Sequence, residues 1–158
     1  LAAPIPILSL RVSGQALALA QTDVVEVLPL PRLVTVPEAP AMVAGAFRLG
    51  VETVLVIRLA TLLGLTAPPE GDALYHHLLL LPVSEGAARL ALLVDRVTNL
   101  HRIEPTLLPA GHSFNDCVTG DVQIDGALVP MLAVARLLTA KDLAFAEAFA
   151  LRAEARRA

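Results

Sequence analysis

The sequence predicts an all-β chain of two similar halves, each with roughly five strands curling into a small barrel, and a helix at the C-terminal end. Three observations lead to this class. Of the 158 residues, 56% are hydrophobic but only 3% aromatic and 17% charged, so the core must be built from Leu, Val and Ala. Branched aliphatics of this kind suit strands. The apolar segments are also short and end at Gly, Pro, Asp or Ser, the punctuation of turns. Finally, the halves repeat. Gly14, Asp23, Val25 and Leu28 recur 72 positions later as Gly86, Asp95, Val97 and Leu100. Gly45, Leu49, Val54 and Leu62-Leu63 recur 75 positions later as Gly120, Ile124, Val129 and Leu137-Leu138. The difference between the two offsets fits one loop insertion between the blocks.

In the first half, residues 5–11 read as a strand, Val12-Ser13-Gly14-Gln15 as a turn and 16–20 as the returning strand. Residues 23–28 alternate Val25 and Val27 against Glu26, and Pro29 and Pro31 then bar a long helix. Residues 33–36 are short and β-prone. Residues 42–49 and 53–59 form two strands joined around Gly50, and 60–65 make a single helical turn. Pro68-Pro69, with Glu70, Gly71 and Asp72, is the clearest break. The boundary is placed there: a first β unit over 1–65, a linker over 66–73, a second β unit over 74–140 and a helix over 141–158. In the second unit 74–83 and 87–94 read as strands, 95–100 continues the chain and 105–115 is irregular. Residues 118–124 and 128–134 flank Asp125-Gly126, a pair that tolerates the positive φ of a type I′ hairpin turn. From Lys141 onward Leu143, Phe145, Phe149 and Leu151 give apolar bulk and Glu147 to Arg157 a charged face.

Charge and hydropathy exclude several functions. The net charge is −3 and the pI near 5.8, with no basic stripe, which argues against nucleic acid. Lys141 is the only lysine, so there is no polybasic membrane patch. The longest run without Asp, Glu, Lys or Arg, residues 73–84, contains His76, His77 and Pro82 and falls short of the ~20 apolar residues a spanning helix needs. The chain opens Leu-Ala-Ala-Pro, without Met and without the charged start of a signal peptide. Cys117 is the only cysteine, which rules out an internal disulfide and agrees with a cytoplasmic location.

Residues that carry chemistry elsewhere have plainer readings here. His76 and His77 are adjacent, so on a strand they point to opposite faces and cannot share an ion; they read as exposed strand histidines. His112, Asp116 and Cys117 read as a solvated linker, since one Cys and one His do not make a triad. Asp121 and Asp125 lack the ligand run of a calcium loop, and no nucleotide-binding glycine pattern is present. No metal, cofactor or catalysis is expected. Asp23 and Asp95, at equivalent repeat positions, read as strand-end carboxylates accepting backbone N–H groups, with a partner contact as the alternative. Val24, Val43 and Phe47 read as core by default.

The order of motifs resembles the CheW family. Val24-Val25-Glu26-Val27 is similar to the family's V-x-E-I segment, and Pro37 to Gly45 to its P-x-x-P-x-x-v-x-G. Leu92-Leu93-Val94-Asp95-Arg96-Val97 resembles its g-l-l-V-D-x-V, and Val118-Thr119-Gly120 with 128–138 its closing hairpin. The similarity covers nearly the whole chain. It implies two SH3-like five-stranded barrels and a non-catalytic adaptor. The implied partners are the regulatory domain of a CheA-type histidine kinase and the cytoplasmic tip of a chemoreceptor. It also implies partner contacts at Val24, Glu26 and Val43, beside the partner contact kept as the alternative at Asp95. The family Arg of the first hairpin falls on Gly50, its Pro on Leu55 and its Asp on Arg58. Arg48, two residues before Gly50, is expected to stand in on the same strand face. The rival readings are a small-molecule-binding or regulatory β-barrel domain, an enzyme centred on Cys117 and His112, and a degenerate family member without receptor coupling.

Overall fold

A computed structural model describes residues 3–65, 68, 69, 71, 73–82, 89–107 and 117–137. The first half holds β1 (Ile5–Val12), β2 (Gln15–Ala20), β3 (Glu26–Pro29), β4 (Val43–Leu49), β5 (Glu52–Arg58) and the single-turn α1 (Leu59–Leu62). The second holds β6 (His77–Leu80), β7 (Arg89–Val94), β8 (Arg96–Ile103), β9 (Thr106–Leu107), β10 (Val118–Ile124), β11 (Ala127–Leu132) and α2 (Val134–Leu137). The expected all-β class holds. The helix expected over 141–158 lies outside the described residues.

The repeat is visible in register. The β4–β5 hairpin breaks register between Val43 and Gly45, and β10–β11 breaks it between Val118 and Gly120, 75 residues on. α1 and α2 follow their hairpins at the same spacing. Asp125 and Gly126 have φ of 50° and 80°, as the type I′ reading requires.

The strands do not sort by half. One sheet runs β3-β6-β7-β5-β4 and the other β8-β1-β2-β11-β10-β9. Each copy of the repeat lends its opening hairpin to the sheet built on the other copy. The exchange is made by two parallel pairings, β5 with β7 and β11 with β2. A boundary at 66–73 therefore does not separate the sheets, because strands before and after it pair within each one.

Both sheets curl. Only Glu104 and Pro105 separate β8 from β9, yet these strands lie at opposite edges of their sheet, so the sheet must bend round to bring its edges within reach. In the five-stranded sheet the same job falls to Val34, whose bridge to Ala46 carries hydrogen bonds of 2.7 and 2.9 Å. This barrel-like curl fits the SH3-like expectation.

Curling gives most central strands two buried faces, which explains runs such as Leu78-Leu79-Leu80-Leu81 and Val54-Leu55-Val56-Ile57 that do not alternate with polar residues. Leu55, Ile57, Leu79 and Leu92 point to a main core shared with Leu10, Val12, Leu19 and Leu132 of the other sheet. Val54, Val56, Leu78, Leu80, Ala91 and Phe47 fill the inside of the five-stranded sheet. Ile7, Ala18, Val122, Val129 and Met131 fill the six-stranded one. Two expectations need correction. His76 is buried rather than exposed, and Cys117 joins the main core rather than a solvated linker.

His77, half-buried at the start of β6, ties the two sheets: its Nδ1 accepts the backbone N–H of Val97 at 2.9 Å. Burial lowers its pKa below the ordinary 6.5, helped by Arg96 and then His76. The unfolded chain takes a proton near pH 6.5 that the folded chain refuses. Stability is therefore complete above that pH and declines as pH falls below it. Urea midpoints measured from pH 7.5 to 5.5 should fall on the acid side, and His77→Gln, whose amide oxygen also accepts, should flatten the decline. An equal slope in the variant would place the titration elsewhere.

Candidate interaction surface

The six candidate contact residues fall in three places. Val24 and Glu26 sit at the start of β3, an edge strand of the five-stranded sheet. A 3₁₀ turn over Gln21–Asp23 swings the chain into this strand, and Val25 donates its N–H to Leu80 at 2.8 Å, fixing the register in which Glu26 pairs with Leu80. Glu26 is exposed, whereas Val24 is half-buried against the main core. Beside them Val25 is 55% exposed, a large apolar side chain left on an edge strand.

Val43, Arg48 and Gly50 belong to the β4–β5 hairpin at the other edge. Val43 is enclosed in the main core and offers almost no surface. Arg48 pairs with Thr53 and is exposed, with no ion pair among the described residues. Gly50 has a φ of 64° and lies in the turn beyond the end of β4, so it shares no strand face with Arg48. The hairpin tip also exposes Val51 at 88%. Arg48 remains the nearest cation on the strand that leads to Gly50.

Asp95 is apart from both groups, at the seam where β7 passes into β8. It is buried, and its Oδ2 accepts the N–H of Gly14 at 3.1 Å while its own N–H donates to Arg11 at 2.9 Å. This is the strand-end carboxylate the sequence suggests, and it clamps the β1–β2 turn, where Ser13 and Gly14 both have positive φ. Asp23, its repeat equivalent, is half-buried and has no such bond among the described residues. Asp95→Ala should lower the free energy of unfolding by about 1 kcal/mol, the net contribution of a typical hydrogen bond, since exposed Gly14 can turn its N–H to water. Asp95→Asn, which keeps an acceptor oxygen, should recover part of that loss in urea melts.

The seam contains two residues that sequence reasoning did not single out as contacts. A cavity of about 270 Å³ is lined there by Asp95, Ser13, Arg58 and His76, with Leu93 and Leu65 among its apolar walls. Arg58 occupies the place of the family Asp, and its Nη1 bonds the carbonyls of Ala41 and Val43 at 2.6 and 2.9 Å. The departure from the family pattern was the available signal: a cation at this position fastens the chain entering β4. His76 has a buried Nε2 with no hydrogen-bond partner. No group of three or more His, Cys, Asp or Glu able to hold a metal occurs among the described residues. Of the possible nucleophile cluster, His112 and Asp116 lie outside them, and Cys117 is a free, buried thiol. No helix among the described residues is long and apolar enough to cross a membrane.

Comparison with known proteins agrees with this architecture. A search of curated proteins gives no match. Among solved structures the chain is similar to the scaffolding protein TtCheW from Thermoanaerobacter tengcongensis. The TM-score is 0.74 at 18% identity, over 88% of this chain and 90% of that one, which is a likeness of fold. The model of the CheW-like domain matches residues 6–142, a span that takes in every strand of both sheets except the first residue of β1. The chain belongs to the CheW-like domain family.

Proposed function

We propose that this protein is a non-catalytic adaptor that couples chemoreceptors to a CheA-type histidine kinase in a chemosensory array. The observation that carries this reading is the extent of the family match, which spans both interleaved sheets rather than one of them. The mechanism is binding alone. Two curled sheets on one shared core give a rigid body with separate edges, and a rigid body with two docking edges can hold two partners at fixed geometry. The β3 edge with Glu26 and Val25, and the β4–β5 hairpin with Arg48 and Val51, are the surfaces assigned to partners. Exposed apolar side chains at both support the assignment. The partners are the regulatory domain of the kinase and the cytoplasmic tip of the receptor, which place the protein in the cytoplasm.

Titration with the regulatory domain of a chemosensory kinase from the same genome, followed by calorimetry, tests the kinase arm. Saturable one-to-one binding is expected. Arg48→Ala should weaken it by roughly tenfold, about 1.4 kcal/mol, because an exposed Arg at an interface is a frequent anchor. Unchanged affinity would remove Arg48 from the interface. Absence of binding to every such kinase would favour a degenerate family member that does not couple.

A further inference from the structure

The two sheets are copies, so the filling of one is a template for the other. Matching the ladders residue by residue pairs Leu80 with Ser9, since Leu80 faces Ala91 and Ser9 faces Ala18. The parallel ladders carry the match further: Ala91 lies beside Val56, and Ala18 beside Met131. By the same ladders Arg89 corresponds to Ala16, Glu52 to Ala127, and Phe47 to Val122. At Leu80, Arg89, Glu52 and Phe47 the six-stranded sheet has the smaller residue, which makes it emptier inside, although Met131 in place of Val56 adds some bulk back.

The consequence differs at the two mouths. In the five-stranded sheet Phe47 and Leu80 fill the interior, and Arg89 and Glu52 meet across the opening at 3.6 Å. In the six-stranded sheet, alanines stand where that pair would be, and a cavity of about 380 Å³ opens there. That is within the lower range of small-molecule sites. Its wall is set by a fixed polar network. Buried Ser9 places its hydroxyl 2.8 Å from Thr98 Oγ1 and 3.1 Å from His101 Nε2, and Thr98 donates to the Ser9 carbonyl at 3.0 Å. A bulge between Ser9 and Leu10 makes room for Thr98.

The donor inventory selects the ligand. Asn99 spends its Oδ1 on the N–H of Leu100, leaving its amide N–H groups to donate. Arg11 uses Nη1 on the Gly14 carbonyl and keeps further guanidinium N–H groups. His101 lines the same wall, its Nε2 held against the Ser9 hydroxyl. Donors and one fixed cation thus gather on the β1–β8 side, with Asp125 on the opposite rim and Ala16, Ala127 and Val129 as apolar floor. We propose that this cavity is a binding site for a small organic monocarboxylate, its carboxylate held by Arg11 and Asn99 and its apolar body lying on Ala16, Ala127 and Val129. Nothing in this site depends on kinase or receptor binding.

The sister sheet supplies the test. Butyrate and benzoate are titrated against the whole chain by calorimetry and by heteronuclear NMR, with butyramide and benzamide as uncharged isosteres. Saturable binding of at least one acid is expected, at least tenfold tighter than that of its amide, with shifts centred on Ser9, Asn99 and His101. The double variant Ala16→Arg with Ala127→Glu transplants the plug and should abolish binding, while Arg11→Met should weaken it at least fivefold. Urea melts confirm that each variant is folded, and Arg11→Met keeps the test decisive if the double variant is not. Equal affinity for acid and amide would overturn the charge assignment. Failure of both acids to bind at 10-fold the concentration typical of weak ligands, about 10 mM, would overturn the site, as would undiminished binding in a folded plug variant.

Discussion

Gly45→Ala is expected to lower the free energy of unfolding by about 4 kcal/mol, the sum of a backbone term and a steric term. Gly45 lies at the register break of the β4–β5 hairpin with a φ of 152°, a conformation that L side chains rarely adopt. A Cβ there would stand 2.8 Å from the carbonyl oxygen of Val34 and 2.9 Å from the Leu33 Cβ. Neither neighbour is the free end of a flexible chain. Val34 is held by its two-hydrogen-bond bridge to Ala46, which is the contact that brings the sheet's edges together. Relief of the clash therefore requires opening the curl. Gly50→Ala is the matched control: its φ is also positive, at 64°, but an added Cβ meets nothing within 4 Å. That variant should lose only about 1 kcal/mol. Urea unfolding of both separates steric closure from backbone strain, and equal losses would refute the closure argument.

The second large effect is at Leu92. Its side chain is fully buried in the row Ile57, Leu92, Leu79 across three adjacent strands, facing the core shared by both sheets. Leu92→Ala should cost about 4 kcal/mol, the upper part of the range for buried Leu truncations, because strands on both sides are anchored and cannot collapse onto the gap. The shared core adds a sharper expectation. With strands exchanged between the halves, neither sheet is complete without the other's hairpin. Unfolding monitored by far-UV circular dichroism and by amide exchange in β1 and β7 should give one transition, displaced as a whole in the variant. Two separated transitions would mean that each sheet carries its own stability.

Much of this was written in the sequence. The repeat of Gly45 at Gly120 and of Val54 at Val129 announced the duplication, since turn and bulge positions tolerate few residue types, and Asp125-Gly126 named its turn. Which strand pairs with which was not legible. Residues 54–57 and 78–81 are apolar on both faces, and an unbroken apolar run carries no information about its neighbours. The parallel pairing of β5 with β7 across a long connection left no local signature, so the sheets were assigned to halves when they are in fact interleaved. His76 misled because a histidine on a strand reads as surface, and Cys117 because it follows a polar irregular stretch; only the packed fold reveals both as interior. Among the candidate contacts, Asp95 was legible as a strand-end carboxylate because its repeat position precedes a strand. Val43 was legible as core, the default reading of an apolar strand residue, and its burial agrees; the partner contact there was implied by the family resemblance alone.

The measurement that bears most directly on the adaptor reading is kinase output in a reconstituted array. Receptor fragments on vesicles, the kinase from the same genome and this protein are combined, and phosphorylation of the kinase is followed with each component omitted in turn. Receptor control of the kinase should appear only when this protein is present, and Arg48→Ala, shown to be folded by its urea melt, should diminish it. Receptor control that is the same with and without the protein, under conditions where calorimetry shows the kinase domain bound, would contradict coupling.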